Sequence, residues 1–290
     1  MTGTGRVAAG PVAAGAVAAG AVSPGAMPDG ASELAGRTAL VTGAGNGLGR
    51  AIALALAGAG ARVILTGRTE RTLRETADLA GRPAGGQSRP LVTACDVTSP
   101  ESVDALRDAL IGEEVDVLVN NAGIGGPVKP VTDIVPDEWD EVFSANVRSV
   151  FLMCRAFLPA MYLRGSGDVI NIASVTGKRP LTRRAPYAAS KMAVLGLTRT
   201  LAFEAGPLGV RVNSLSPGPC RGERMTRNFT AEAAASGTSY AVAEEAFVSR
   251  AALRRLVEED EVGLAVLAML RMPGLCGADI DLSAGMIAPA

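Results

Sequence analysis

The chain has 290 residues, of which 48% are hydrophobic and 20% charged, so it can bury a sizeable core. The net charge of −1 argues against a nucleic-acid or anionic-membrane surface. The absence of histidine excludes Ser-His-Asp catalysis and histidine-ligated metals. Four widely spaced cysteines, with no Cys-x-x-Cys pair, predict reduced thiols in a cytoplasmic protein rather than a disulfide or zinc framework.

Residues 1–31 differ in composition from the rest of the chain. The tetrapeptide VAAG occurs at 7–10, 12–15 and 17–20, among many glycines. Alanine and glycine bury too little apolar surface to offset the entropy lost on ordering, so we expect a disordered extension. The segment is too poor in leucine and isoleucine for a transmembrane helix, and its basic content before residue 29 is Arg6 alone, which argues against a signal peptide.

A predicted strand, a glycine-rich turn and a predicted helix follow in succession. Residues 38–42 (TALVT) form an apolar run, residues 43–49 carry glycines in the spacing T-G-x-x-x-G-x-G, and residues 50–57 have helix-forming composition. Glycines allow close backbone approach, and a helix N-terminus offers free N–H groups to a phosphate. The turn therefore predicts a dinucleotide pyrophosphate site; a glycine-rich loop without a ligand is the alternative.

The end of the second predicted strand, residues 61–66, bears on the choice of cofactor. Dinucleotide folds often end this strand in an acidic residue that binds the adenosine ribose hydroxyls. Here Gly67 and Arg68 follow instead. Because an arginine forms charge-assisted bonds to a phosphate, the pair favours NADP(H) over NAD(H). The alternative is that Arg68 is a solvated residue at a helix start.

Further strands alternate with helices and predict a parallel sheet. Strands are predicted at 90–96, 115–119, 168–172, 210–215 and 278–282, and helices at 104–111 and 257–270. Ligands bind beyond the carboxyl ends of such strands, where we expect Asp96, Asn120 and Ser174. A long helix is predicted from 136 to 164, and its apolar stripe is wide enough to suggest a partner subunit.

Ser174, Tyr187 and Lys191 form the candidate catalytic group. Pro186 suits the first turn of a helix, and on that helix Tyr187 and Lys191, four residues apart, share one face. An ammonium lowers the pKa of a nearby phenol toward the range useful for acid–base chemistry, and a serine hydroxyl can hold a substrate oxygen. This arrangement suits a proton relay between a carbonyl and an alcohol. Tyr-x-x-x-Lys alone is also a common pair on a helix surface.

Taken together, residues 36–288 resemble the short-chain dehydrogenase/reductase family. Six motifs occur in the family's order, and each is weak alone. They are Thr42-Gly43-x-x-x-Gly47-x-Gly49, Asp96-Val97, Asn120-Asn121-Ala122-Gly123, Asn146, Ser174 with Tyr187-x-x-Ser190-Lys191, and Pro217-Gly218.

The resemblance implies an α/β fold, a single Rossmann-like doubly wound parallel sheet with helices on both faces across residues 32–290, assembled as a tetramer or dimer. It implies Tyr187 as general acid/base, Ser174 as the partner of the substrate carbonyl, Lys191 as a ligand of the nicotinamide ribose and Asn146 as the holder of a water. The implied cofactor contacts are Gly43, Asn46, Gly47, Leu48, Gly49, Arg68, Asp96, Val97, Asn120, Ala122, Gly123, Tyr187, Lys191, Pro217 and Gly218.

Two departures from the family pattern accompany the match. Asn46 stands where NADP(H)-dependent members often carry a basic residue, and no threonine closely follows Pro217-Gly218 to contact the nicotinamide amide. Residues 219–253 take the place of the family's variable substrate lid. Six cations flank the site and suggest an anionic or strongly polar substrate, although solvated surface cations are an equal alternative: Lys178, Arg179, Arg183, Arg184, Arg221 and Arg224.

The sequence thus predicts an NADP(H)-dependent oxidoreductase that acts on a small-molecule ketone or secondary alcohol, with no metal, nucleic-acid or membrane partner. Two other functions stay open. One is an epimerase or another reaction without net redox change, and the other is an NADP(H)-sensing protein without turnover. The intact Ser174, Tyr187 and Lys191 argue against the sensor.

Overall fold

The computed structural model describes residues 33–81, 89–179 and 181–286. The predicted disordered extension, residues 1–31, lies outside the described residues. Within them, seven strands form one sheet. They are β1 (Thr38–Thr42), β2 (Arg62–Gly67), β3 (Leu91–Ala94), β4 (Val115–Asn120), β5 (Gly167–Ile172), β6 (Val210–Pro217) and β7 (Asp279–Leu282).

Helices connect successive strands. They are α1 (Gly47–Gly58), α2 (Glu70–Ala80), α3 (Pro100–Ala109), α4 (Pro136–Phe143), α5 (Ser149–Arg164), α6 (Ala185–Ala205), α7 (Glu223–Ser236), α8 (Tyr240–Val248) and α9 (Glu259–Leu270). Short 3-10 turns lie at Val131–Asp133, Val175–Gly177 and Gly206–Leu208.

All neighbouring strands pair in parallel, in the spatial order β3-β2-β1-β4-β5-β6-β7. The order runs outward from β1 to β3 on one side and from β4 to β7 on the other. The direction in which strands are added to the sheet therefore reverses between β1 and β4. A crevice opens beyond the carboxyl ends of the strands where the direction reverses. The predicted doubly wound parallel sheet is confirmed, and its topology locates the ligand site.

Both faces of the sheet are buried, which explains the continuous apolar runs in its strands. In β1, Ala39 and Val41 pack into one core cluster and Leu40 into the other, and all three are fully buried. The first cluster covers α1 and α9, and the second covers α3, α5 and α6. Helix α9 packs closely on α1 because Gly263 has no side chain: a Cβ there would lie 2.8 Å from the Ala51 carbonyl oxygen.

The helix predicted over residues 136–164 is helical throughout but not uniformly α-helical. A π-helical turn, Ser144–Arg148, separates α4 from α5. A π-helical turn inserts one residue into the helical repeat and turns its side chains relative to the preceding helix. Asn146 lies in this turn and is only 1% exposed. In isolation it would be interpreted as an exposed helix residue, and that interpretation is wrong.

No helix among the described residues is both long and apolar enough to cross a bilayer. Over the same residues, no cluster of three cysteine, aspartate or glutamate side chains could hold a metal ion. All four cysteines are free thiols, and only Cys276 is exposed.

Candidate active site

The glycine turn between β1 and α1 forms one wall of a cavity of about 800 Å³. A Cβ on Gly49 would overlap the Gly43 carbonyl oxygen and lie 2.5 Å from Asn121 Nδ2. A Cβ on Gly45 would overlap the hydroxyl of Thr72 on α2. The chain can therefore fold this tightly only with glycine at these positions. The cavity is as large as known cofactor pockets.

The start of α1 is open toward this cavity. Its N-cap, Asn46, has extended backbone, and its side chain makes no capping hydrogen bond. Gly47 and Leu48, the first helical residues, line the cavity. Uncapped N–H groups at a helix N-terminus attract a phosphate. The turn and the helix start thus fit the pyrophosphate of a dinucleotide.

A further part of the cavity wall comes from the residues that follow β2 and β3. Arg68, Asp96 and Val97, which the sequence predicts to contact the cofactor, all line the cavity. The Asp96 carboxylate accepts hydrogen bonds from the Thr98 N–H and hydroxyl at 3.0 and 2.7 Å. These bonds, assisted by the charge of Arg68, lower the pKa of Asp96 against the opposing effect of its burial. Asp96 is therefore ionised at neutral pH and available to accept hydrogen bonds from a bound base.

Asn120, predicted to contact the cofactor, does not line this cavity. It is buried in the sheet, and its Nδ2 donates to the side chain of Asn171 on β5 at 2.9 Å. The cavity is lined instead by Asn121, whose Nδ2 donates to the Thr42 carbonyl at 2.9 Å. Successive side chains along a strand point to opposite faces, and this alternation separates the two asparagines. Ala122 and Gly123 line the cavity as predicted.

Helix α6 brings Tyr187 and Lys191 together. Pro186 is its second residue, and the Lys191 ammonium lies 5.9 Å from the centre of the Tyr187 ring. Lys191 is 6% exposed and donates to the Ile172 carbonyl at 2.8 Å. The common surface-pair interpretation of Tyr-x-x-x-Lys is therefore wrong here.

Ser174 caps the 3-10 turn that follows β5, and its Oγ accepts a hydrogen bond from Thr176 N at 3.2 Å. The turn packs tightly on α6 because Gly177 has no side chain: a Cβ there would lie 2.9 Å from the Met192 nitrogen. This packing fixes the turn that carries Ser174 against α6, and the Ser174 hydroxyl helps to lower the pKa of Tyr187.

The electrostatics of this group favour acid–base chemistry. Burial alone would raise the pKa of Tyr187, yet the positive charges of Lys191 and Arg224 and hydrogen bonds from Ser174 and Arg224 bring it below its ordinary value. The pKa of Lys191 is lowered, chiefly by burial and further by Arg224, although Tyr187 opposes the shift. The phenol can therefore exchange a proton closer to neutral pH than an exposed tyrosine.

Asn146, in the π-helical turn, stabilises the site through hydrogen bonds. Its side chain accepts from Ile124 N at 2.7 Å and donates to the Ile124 carbonyl and to Ser190 Oγ, each at 3.0 Å. Ser190 in turn donates to the Tyr187 carbonyl at 2.8 Å. A Cβ on Gly123 would lie 2.7 Å from Asn146 Oδ1. Asn146 thus links the loop after β4 to the helix that carries Tyr187.

Pro217, the last residue of β6, and Gly218, which follows it, were also predicted to contact the cofactor, but neither lines the cavity. Gly218 N donates to the Leu282 carbonyl at 2.7 Å, and a Cβ on Gly218 would lie 2.8 Å from Ser283 Cα. The residue that reaches the site from this side is Arg224 on α7, which lines the cavity and helps to lower the pKa of Tyr187. The sequence placed Arg224 in the lid, but no pattern distinguished it from the neighbouring arginines.

The structure separates the six flanking cations. Lys178 pairs with Asp279 and Asp281 on β7, and Arg221 pairs with Glu244 and Glu258. Each of these charges is already neutralised inside the protein.

Two further cations bond to backbone carbonyls rather than carboxylates. Arg179 donates to the Met286 carbonyl at 3.0 Å, and Arg184 donates to the Gly125 carbonyl at 3.1 Å. Arg183 is exposed and has a positive φ of 63°. The predicted set of six therefore does not act as one cluster.

The comparisons with known proteins agree with this geometry. The chain matches the short chain dehydrogenase family over residues 37–234. It is 42% identical over 205 residues to the (5R,7aS)-5-hydroxy-7a-methyl-1-oxo-2,3,5,6,7,7a-hexahydro-1H-indene-carboxyl-CoA reductase of Mycobacterium tuberculosis. The aligned region covers 69% of this chain and 76% of that protein.

Solved structures with bound cofactor share the fold. An actinorhodin polyketide ketoreductase with NADPH has a TM-score of 0.80 at 31% identity, over 86% of this chain and 97% of that one. An NAD⁺-bound xylitol dehydrogenase also has a TM-score of 0.80, at 28% identity, over 87% of this chain and 100% of that one. The sheet order, the glycine turn and the matched residues lead to one conclusion: this chain belongs to the short-chain dehydrogenase/reductase family of oxidoreductases.

Proposed function

We propose that the protein is a cytoplasmic NADP(H)-dependent oxidoreductase that interconverts a ketone and a secondary alcohol, with Tyr187 as general acid and base. The observation that carries the proposal is the convergence of Tyr187, Lys191 and the turn of Ser174. They lie next to Gly123, which lines a cavity whose glycine turn fits a dinucleotide. When bound, the nicotinamide supplies or accepts the hydride.

The chain's own residues divide the remaining work. Ser174 donates its hydroxyl proton to the substrate carbonyl oxygen and orients that oxygen toward Tyr187. In reduction the Tyr187 phenol gives its proton to that oxygen, and in oxidation the phenolate takes it back. Lys191 stabilises the phenolate by its charge. Asn146 holds the loop after β4 next to α6 through its hydrogen bonds to Ile124 and Ser190.

The cofactor is held by the residues that line the cavity. The turn at 43–49 and the start of α1 would bind the pyrophosphate, and Asp96 and Val97 would border the adenine. Arg68 stands at the end of β2 in place of the acidic residue that would repel a 2′-phosphate, which supports NADP(H) over NAD(H).

The test of this function is a spectrophotometric assay of NADPH consumption at 340 nm against ketones, and of NADP⁺ reduction against secondary alcohols. A reductase consumes NADPH with at least one class of ketone. Isotope exchange without net change in NADPH would instead indicate the epimerase. Cofactor binding with neither activity would indicate the sensor.

The cofactor preference has its own test in Arg68→Asp. A carboxylate at this position repels a 2′-phosphate and can accept the ribose hydroxyls, so we expect the Kd for NADPH to rise at least tenfold while that for NADH changes little. Arg74→Ala is the matched control, because Arg74 is 69% exposed and pairs with Glu70 on the outside of α2. Equal losses for NADPH and NADH, measured by fluorescence titration, would contradict the assignment.

A further inference from the structure

The start of α9 brings a carboxylate into the cofactor cavity. Glu259 is the first residue of α9 and lines the cavity. Its Oε1 lies 3.6 Å from where a Cβ on Gly47, the first residue of α1, would stand, and 2.5 Å from a Cβ built on Gly222, which precedes α7. The carboxylate is therefore located between the helix start that fits a phosphate and the beginning of the lid segment, residues 219–253.

The main chain fixes this position. Val257 N donates to the Pro219 carbonyl at 3.0 Å, and Arg221 N donates to the Val257 carbonyl at 2.7 Å, so the residues before α9 are bonded to the beginning of the lid segment. On its other side, α9 packs closely on α1 at Gly263. Glu259 is thus held beside both elements by the backbone that carries it.

The charge of Glu259 has no ion-pair partner among the residues that the structure describes. Arg50, the cation of α1 that acts on it, is engaged elsewhere. The Arg50 guanidinium donates to the Gly45 carbonyl at 2.6 Å and pairs with Glu75 at 3.3 Å. The negative charge of Glu259 therefore faces the cavity without being neutralised.

The other carboxylates that line the cavity are placed differently. Asp96 accepts two hydrogen bonds from Thr98. Glu141, on α4, is exposed, and the Glu223 side chain is 94% exposed. Glu259, by contrast, is partly buried beside the glycine turn, where the phosphates of a dinucleotide would lie.

We propose that Glu259 belongs to the cofactor site and weakens binding there, because its carboxylate repels the phosphates of the dinucleotide and favours their release. This inference rests on the proposed binding of NADP(H) in this cavity. Two like charges in a partly buried cavity repel more strongly than in water, since the effective dielectric constant is lower. Release of product limits the turnover of many enzymes, so a residue that loosens the cofactor can serve the reaction.

The repulsion should depend on the protonation of Glu259. Burial raises the pKa of Glu259 above its ordinary value, and Glu223 and Glu258 raise it further, although Arg50 opposes them. The Cys220 thiol near it is uncharged at neutral pH, because burial raises its pKa to about 12. Glu259 is ionised above its pKa, so the repulsion is present there and is lost as the pH falls through that pKa.

The test is Glu259→Gln, which removes the charge and nearly preserves the shape. We expect the Kd for NADPH, measured by fluorescence titration at about pH 8, to fall at least fivefold. The Kd for NADH should fall by the same factor, because both cofactors contain the pyrophosphate. The dissociation rate of NADPH, measured by stopped flow, should fall with the Kd.

Asp260→Asn is the matched control. Asp260 lies in the same first turn of α9 but is exposed and does not line the cavity, so the loss of its charge should leave both Kd values unchanged. An unchanged or higher Kd in Glu259→Gln overturns the proposal, as does an unchanged dissociation rate or an equal gain of affinity in Asp260→Asn. Thermal melting checks that both variants are folded.

The pH dependence separates charge from shape. Between about pH 8 and about pH 5, the ratio of the Kd of the unaltered protein to that of Glu259→Gln should fall toward one, because protonation neutralises the carboxylate. A ratio that stays constant over this range would show that the variant acts through packing, and would overturn the proposal.

The outcome is separable from that of the proposed function. Failure of the unaltered protein and of Glu259→Gln to bind either cofactor would remove the proposed function and this inference together. Turnover of ketones with equal cofactor affinity in the two proteins would remove this inference alone. Tighter cofactor binding by Glu259→Gln without turnover of any ketone would keep the role of Glu259 and remove the oxidoreductase.

Discussion

At Tyr187, opposing effects act on one hydroxyl group. Burial disfavours the phenolate, whereas Lys191, Arg224 and Ser174 favour it and prevail, so the pKa is lowered. Tyr187 and Lys191 could be read from their spacing in the sequence. The contribution of Arg224 could not, because it depends on where α7 places one arginine among several.

The lowered pKa of Tyr187 predicts opposite pH dependences for the two directions of reaction. Reduction needs the protonated phenol, which is present below the pKa and lost as the pH rises through it. Oxidation needs the phenolate, so its kcat/KM should rise over the same range. Replacing Lys191 with methionine removes a positive charge and raises the pKa of Tyr187, so both profiles should move to higher pH.

The measurement is kcat/KM against pH in both directions for the unaltered protein and for Lys191→Met. Arg107→Ala, which removes a positive charge far from the cavity, should leave the profiles in place. Profiles that coincide for the unaltered protein and Lys191→Met would show that the ammonium does not tune Tyr187.

Replacing glycine with alanine should have opposite effects at two positions of α1. Gly49→Ala would force a methyl into the Gly43 carbonyl and Asn121, so the turn must shift and the Kd for NADPH should rise at least tenfold. Gly58→Ala meets nothing within 4 Å and should stabilise the protein by about 0.5–1 kcal/mol, because alanine loses less entropy in a helix.

Thermal melting and NADPH titration of the two glycine variants check this pair. Gly58→Ala should melt slightly higher and bind NADPH normally. Normal NADPH binding by Gly49→Ala would show that the turn does not need the close approach seen here.

Among the elements, the strands followed their sequence patterns most closely. The predicted limits of β1 match the structure. Strand β2 begins and ends one residue later than predicted, and β5 begins one residue earlier, because apolar runs buried on both faces mark such strands clearly. Helix α3 begins at Pro100, earlier than predicted, because the Ser99 side chain caps it by accepting from Ser102 N at 3.1 Å.

Hydrophobic periodicity in the sequence could not predict the π-helical turn between α4 and α5. A hydrophobic stripe is read over several turns, and one inserted residue barely changes it. The bonds of Asn146 to Ile124 and Ser190 show what the turn achieves. It brings a polar side chain from a core helix to the base of the site.

Asn146→Ala tests the role of this turn. The change leaves the part-buried N–H and carbonyl of Ile124 without their partner, which should lower the free energy of unfolding by about 1–2 kcal/mol and reduce turnover. Arg148→Ala is the matched control, since Arg148 lies in the same turn and is exposed. Equal losses for the two variants in chemical denaturation would contradict a specific role for Asn146.

At the scale of the whole molecule, the order of the strands determines where the site lies. The reversal between β1 and β4 brings the glycine turn, Asp96 and the loop after β4 to one edge of the sheet, and β5 delivers Ser174 there. This much follows from alternating strands and helices in the sequence. The side-chain direction of Asn120 and the partners of the arginines do not, because both depend on tertiary packing.

The surface also bears on assembly. Phe151 and Leu163 on α5 are 49% and 92% exposed, and Phe203 on α6 is 84% exposed. Large apolar side chains exposed on neighbouring helices are typical of a subunit interface. The homo-oligomer expected from the sequence stays a prediction, which the mass measured by sedimentation would check.

The most direct test of the central claim is NADPH consumption by Tyr187→Phe with the best ketone of the panel. The account predicts that turnover falls by orders of magnitude while the Kd for NADPH stays within about twofold, since phenylalanine keeps the ring and removes only the proton donor. Near-normal turnover in Tyr187→Phe would contradict the account, because the proton would then come from another group.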